Sequence, residues 1–148
     1  MIFTIVMGYL IGEKNFGQVS TTVWKAVGIA TLITGLITTT LYFNSDIVFR
    51  IFTDNEEILK LGQQIFFIEI FLEIGRAVNI VMVRALQAAG DIKTPVTVGI
   101  GGMWFIAVFG AYTLGIVLNF GLVGVWIAMA LDEIIRALIF IYRWQSGR

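Results

Sequence analysis

The sequence predicts an all-α integral membrane protein, with about four full transmembrane helices and a partial one at the N-terminal side. Three observations predict it. Of 148 residues, 58% are hydrophobic and only 14% are charged; apolar stretches of about twenty residues recur along the chain; and short polar or glycine-bearing turns separate them. A soluble domain carries about a quarter charged residues. A chain this short has too much surface for its volume to hide so much apolar area from water, so lipid is the expected solvent.

The elements follow in order. Residues 1–12 are apolar, but as a helix they would rise only ~18 Å, short of a hydrocarbon core of roughly 30 Å. They read as a partial span cut within a helix, or as an interfacial segment that does not cross. No Lys or Arg precedes Lys14, so a cleaved secretory leader is not expected. The uncharged residues 26–45 place the first full span at about 24–45, and the others follow at about 61–83, 95–118 and 122–142. Residues 1–148 together read as one membrane domain.

Between the second and third spans, Gly90 can take the left-handed conformation that ends a helix, Thr94 is expected to cap the next, and Pro95 suits its first turn. The turn at residues 118–121 is shorter still, so the last two spans are expected to be antiparallel neighbours. Small residues at four-residue spacing let membrane helices approach closely. They occur as Thr31, Gly35 and Thr39, as Ala107, Ala111 and Gly115, and as Gly124 and Ala128. The run Gly99-Ile100-Gly101-Gly102 reads as a flexible or tightly packed helix segment, or as a bend.

Loop charges orient the chain. Lys14, Lys25, Arg84, Lys93, Arg143 and Arg148 fall on one side, while Arg50 and Lys60 fall on the other among Asp46, Asp54, Glu56 and Glu57. By the positive-inside rule the C-terminus is cytoplasmic, in a cell (plasma or inner) membrane.

The informative residues are charges inside the spans: Glu69, Glu73 and Arg76 in the second, and Asp132, Glu133 and Arg136 in the fourth. At 100° per residue, Glu69, Glu73, Arg76 and Gln87 share one stripe with Asn79 at its edge, and Asp132, Arg136 and Arg143 share another. Three ionised groups cost about 9 kcal/mol at mid-span, whereas the Leu, Ile, Phe and Val residues of 61–83 return roughly 4 to 8 kcal/mol. Such a helix needs a bundle, a water-filled cavity or a bound proton beside it. Local pairing of Glu73 with Arg76 and of Asp132 with Arg136 would lower the cost and leave one carboxylate over in each trio. A buried carboxylate without a partner can bind a proton. Glu69 and Glu73 are therefore the candidates for the coupling ion or proton, with Arg76, Asn79, Asp132, Glu133 and Arg136 as charge partners.

The chain has no His and no Cys, so proton chemistry falls to Asp, Glu or Tyr, and disulfides and thiolate chemistry are excluded. No phosphate-cradling loop or nucleophile elbow is present, so no enzymatic activity, cofactor or metal is expected. A formal charge of zero gives no reason to expect nucleic acid as a partner.

These residues bring out a resemblance. Gly8-Tyr9-Leu10-Ile11-Gly12 with Asn15-Phe16, Ile51-Phe52-Thr53-Asp54-Asn55-Glu56-Glu57-Ile58, Ala85-Leu86-Gln87-Ala88-Ala89-Gly90-Asp91 with Thr94-Pro95, and Gly121-Leu122-Val123-Gly124-Val125-Trp126 resemble, in order, segments from the eighth helix onward in the multidrug and toxic compound extrusion (MATE) family. Leu72-Glu73-Ile74-Gly75-Arg76-Ala77-Val78-Asn79, with Asp132, Glu133 and Arg136, resembles a bacterial branch. The resemblance implies a twelve-helix transporter of two six-helix lobes with cytoplasmic termini, of which this chain supplies part of the C-lobe. It implies secondary active multidrug efflux by antiport against protons or sodium, with small amphiphilic or cationic substrates. The partners it implies are the lipid bilayer and an N-terminal lobe without which the chain is inactive.

Two departures stand out. Some family members place a cation-binding acid in the tenth helix where this chain has Arg76, and arginine cannot bind sodium; proton coupling, or coupling through the first lobe, is favoured instead. The turn commonly has arginine where Gln87 stands. Two other readings remain at this point: a small four-helix exporter acting as a dimer, although its essential acid would lie in a first span that has none here, and a non-transporting membrane assembly subunit.

Overall fold

Turn residues decide where each helix ends, and four long helices lie between the turns among the described residues. The computed structural model describes residues 5, 6, 8, 9, 12 and 16–147, so the partial span expected at residues 1–12 lies largely outside them. The helices are α1 (Phe16–Phe43), a short α2 (Ser45–Arg50), α3 (Glu56–Ala88), α4 (Lys93–Val117) and α5 (Gly121–Gln145). No strand occurs among the described residues. The architecture is that of an all-α membrane protein.

Helix α3 begins where the Asn55 side chain accepts the Glu57 N–H at 2.9 Å, with Glu56 and Glu57 set favourably in the first turn. At 33 residues it is about 50 Å long, more than a bilayer core needs. It ends at Gly90, whose φ of 88° lets the Asp91 N–H reach back to the Leu86 carbonyl at 2.9 Å and the Gly90 N–H to Gln87 at 3.1 Å. The next cap differs from expectation. Thr94 lies inside the first turn of α4, and Asp91 does the capping, accepting the Thr94 N–H at 3.1 Å and its hydroxyl at 2.9 Å. The glycine turn delivers Asp91 three residues ahead of Thr94, where a carboxylate is a stronger acceptor than a hydroxyl.

Helix α4 is not uniform. It is α-helical over Lys93–Gly102 and Phe109–Ala111, and π-helical over Met103–Val108 and Tyr112–Val117. The wider turns replace the expected four-residue stripe with a five-residue one. Gly110 and Gly115 face α5, where added Cβ atoms would stand 3.2 Å from Ala128 and 3.1 Å from Val125. Gly124 returns the contact: a Cβ there would lie 2.6 Å from the Leu114 carbonyl. Asn119 and Gly121, both at φ 57°, turn the chain so that α4 and α5 lie antiparallel, as expected.

Helix α3 is the centre of the layer, packed on α1 and on α5, while α4 lies against α5 and meets α3 little beyond their connecting turn. The buried core is Val19, Val23 and Val27 of α1, Met82, Ala85 and Leu86 of α3, and Phe140 of α5. This cluster lies toward the end of the bundle where α3 terminates, and Leu72 and Leu59 of α3 are buried farther along it. Many large apolar side chains point outward, among them Leu32 and Leu36 of α1 and Phe105 of α4, the last 79% exposed. Gly17–Phe43 and Lys93–Val117 are long and apolar enough to cross a membrane, and outward apolar faces of this kind suit lipid or further helices.

Candidate functional site

Gly75 decides the site's geometry. A Cβ at that position would stand 3.1 Å from the backbone and Cβ of Glu133, so α5 crosses α3 there at close range. The crossing sets Glu133 beside Arg76 and Asn79. Arg76 Nε lies 3.7 Å from Glu133 Oε1, and Asn79 Nδ2 donates to the Glu133 backbone carbonyl at 2.8 Å and to its carboxylate at 2.6 Å.

The two expected local pairs are present. Arg76 bonds Glu73, and Arg136 bonds Asp132 at 2.6 Å. The two trios are not separate, however, because Glu133 also accepts Arg136 at 3.0 Å. Glu73, Arg76, Glu133, Arg136 and Asp132 form one alternating ladder across the two helices. The carboxylate expected to be left over on α5 is thus ion-paired with two arginines and hydrogen-bonded by Asn79. Counting along one helix could not reveal partners supplied by the other.

On α3 the leftover carboxylate is Glu69, and it too has a partner: Trp126 Nε1 on α5 donates to it at 2.7 Å. Sequence reasoning missed Trp126 in this role. The signal was present, since an indole N–H within a span requires an acceptor. Glu69 and Glu73 interact with each other across one turn and line a cleft of about 510 Å³ with Thr34 and Thr38 of α1, Phe66 of α3 and Trp126. The expected small-residue stripe of α1 is one residue out of register with this cleft, and Gly35 meets nothing within 4 Å.

Asp132 is 4% exposed, and its Oδ1 has no hydrogen-bond partner. It fits only because Gly102 of α4 has no side chain there. Glu69, Glu73, Glu133 and Asp132 set against Arg76 and Arg136 give four negative and two positive groups, a surplus of two carboxylates at mid-span.

Outside the span, Arg143 Nε donates to Asp91 at 2.7 Å. The Arg143 guanidinium, with the Thr94 N–H, holds the Asp91 carboxyl below the usual carboxylate value. Expected as an orienting loop charge aligned with Asp132 and Arg136, Arg143 also ties the last turn of α5 to the start of α4.

Residues 3–113 match the MatE family. The chain belongs to the MATE family. The "Uncharacterized transporter YisQ" of Bacillus subtilis (strain 168) is 35% identical to this MATE chain over 146 residues, which cover 96% of it and 31% of that relative. The "Probable multidrug resistance protein NorM" of Buchnera aphidicola subsp. Baizongia pistaciae (strain Bp) is 24% identical over 95% of the chain and 32% of its own length. The protein of the same description in Bacillus thuringiensis subsp. konkukian (strain 97-27) is 22% identical over 97% and 32%. The MATE chain therefore spans about a third of the length of these relatives.

Proposed function

We propose that this chain is part of a MATE transporter that exports small amphiphilic or cationic compounds by antiport against protons or sodium, with Glu69 and Glu73 as the coupling carboxylates. The observation that carries the reading is the surplus of two carboxylates within the spans, with Glu69 and Glu73 both opening onto the cleft beside Phe66 and Trp126. Charges at that depth are expensive unless they perform a task.

Glu73 is shared between the cleft and Arg76. A proton or sodium ion on Glu73 loosens its hold on Arg76 and shifts that guanidinium toward Glu133 on α5. An organic cation against Trp126 and Phe66 competes for the same carboxylates, with the aromatic faces adding attraction. Mutual exclusion of ion and substrate is what exchange requires. The relatives are about three times as long, which supports an N-terminal lobe as the partner needed to close a cavity; this chain alone is inactive. The loop charges support a cytoplasmic C-terminus in the cell (plasma or inner) membrane.

The test is efflux of a cationic dye from proteoliposomes of the complete transporter, driven separately by imposed proton and sodium gradients. Glu69→Gln and Glu73→Gln are each expected to weaken coupling, and the double variant to abolish it. Unchanged gradient-driven efflux in all three variants refutes the assignment.

A further inference from the structure

Charge alone does not say which cation the acidic cleft takes. Glu73 is already paired with Arg76, and Arg76 also reaches Glu133, so Glu69 is the cleft carboxylate that no arginine or lysine offsets among the described residues. A single negative charge attracts every monovalent cation alike. The hydrogen-bonding groups of the lining discriminate further.

Those groups are almost all acceptors. They are Glu69 and Glu73 of α3, Thr34 and Thr38 of α1, and the Trp126 indole of α5. Trp126 Nε1 donates its one proton to Glu69 Oε2 at 2.7 Å. The buried Thr38 hydroxyl donates to the Thr34 backbone carbonyl at 2.9 Å, which leaves only lone pairs on its oxygen. The Thr34 hydroxyl is the one uncommitted donor, and it can rotate to accept instead. Arg76 engages Glu73 Oε1. Each carboxylate therefore keeps one oxygen, Glu69 Oε1 and Glu73 Oε2, to which no N–H or hydroxyl donates among the described residues. The two carboxyl groups stand one turn apart on α3, about 6 Å along its axis, and interact with each other. Two acceptors so placed repel unless a donor stands between them.

We propose that the cleft selects protonated amines, whose N–H groups bridge Glu69 and Glu73 while an apolar body lies against Phe66 and Trp126, and disfavours quaternary ammonium ions of the same shape. The inference rests on the export of cations through this cleft and names their chemical class. Carboxylate charge and aromatic faces attract both kinds of cation. A quaternary head presents only methyl groups, so on entering it strips water from two acceptor oxygens and returns no hydrogen bond. A protonated amine replaces that water and, like the coupling proton, puts a hydrogen between the two carboxylates.

Binding to the complete transporter is measured by isothermal titration calorimetry in phosphatidylcholine nanodiscs, in sodium-free buffer at neutral pH and without a gradient. The probes are phenethylammonium and its trimethylated counterpart, which share one aromatic body and one positive charge. The amine is expected to bind at least about tenfold more tightly, the scale of one charge-assisted hydrogen bond. Glu69→Gln, which keeps the side chain's shape and an acceptor for Trp126, is expected to remove most of this preference. Thermal unfolding verifies that the variant is folded, and Glu73→Gln gives the same comparison if it is not. Equal affinities in the parent, or a preference undiminished in the folded variant, overturn the amine assignment and leave cation binding standing. Binding of neither probe overturns both the assignment and the cation-export reading beneath it.

Discussion

Glu133 is ion-paired with Arg76 and Arg136 and accepts from Asn79, whereas among the described residues the only ion pair of Glu73 is with Arg76, and this difference sets what each is worth. Removing a partner from a buried charge network leaves the remaining charges uncompensated, which costs about 3–5 kcal/mol. Glu133→Ala is expected to destabilise the protein by that amount and Glu73→Ala by clearly less, in thermal unfolding of the purified protein. Asp91 gives a second prediction at this scale. Its carboxyl is held below 3.8 by Arg143 and Thr94, so the folded state binds that proton less tightly than the unfolded state. The stabilisation is complete above pH 3.8 and is lost as the pH falls through the lower folded value. Acid unfolding monitored by circular dichroism should show this loss in the parent and lack it in Asp91→Asn. The pairs Glu73 with Arg76 and Asp132 with Arg136 were legible because they lie within one helix at three- and four-residue spacing. The bonds of Glu133 to Arg76 and of Glu69 to Trp126 were not, because they depend on where two helices cross. Gly75, lying between Glu73 and Arg76, was the trace of that crossing in the sequence.

At the level of elements, α4 and α5 approach so closely that backbone, not side chain, sets the limit. A methyl group on Gly124 would meet the Leu114 carbonyl at 2.6 Å, and a backbone atom cannot swing aside. Gly124→Ala is expected to cost about 1–3 kcal/mol by overpacking. Gly35→Ala, with open space around it, should be neutral or gain up to about 1 kcal/mol from helix propensity; the same unfolding measurement compares the two in this chain. The turns were readable from residue type alone, because Gly90 and Pro95 each permit few conformations. The π-helical stretches were not. Stepping by 100° per residue assumes an α-helix throughout, and within α4 that assumption found Gly115 but selected Ala111 one turn before it, where the packing uses Gly110.

For the molecule as a whole, fold class followed from composition and the placement of charges, and so did the proposed orientation. This chain has no cysteine, so once any cysteines elsewhere in the complete transporter are replaced, single cysteines placed in it report that orientation. In intact cells carrying the complete transporter, a membrane-impermeant maleimide should label Thr53→Cys and should label Ser146→Cys only after the membrane is opened. The reverse pattern would invert the topology. The packing of the layer was not legible, because α5 inserts between two helices that are consecutive in sequence.

The buried side chains of α3 run from Leu59 through Leu72 to Met82, with the Phe49 ring seated on Gly62 near one end and Val23 and Phe140 gathered around Met82 at the other. Fastened at both ends, the helix is a beam between two posts, and the cleft lined by Leu41, Ile65 and Trp126 lies between them.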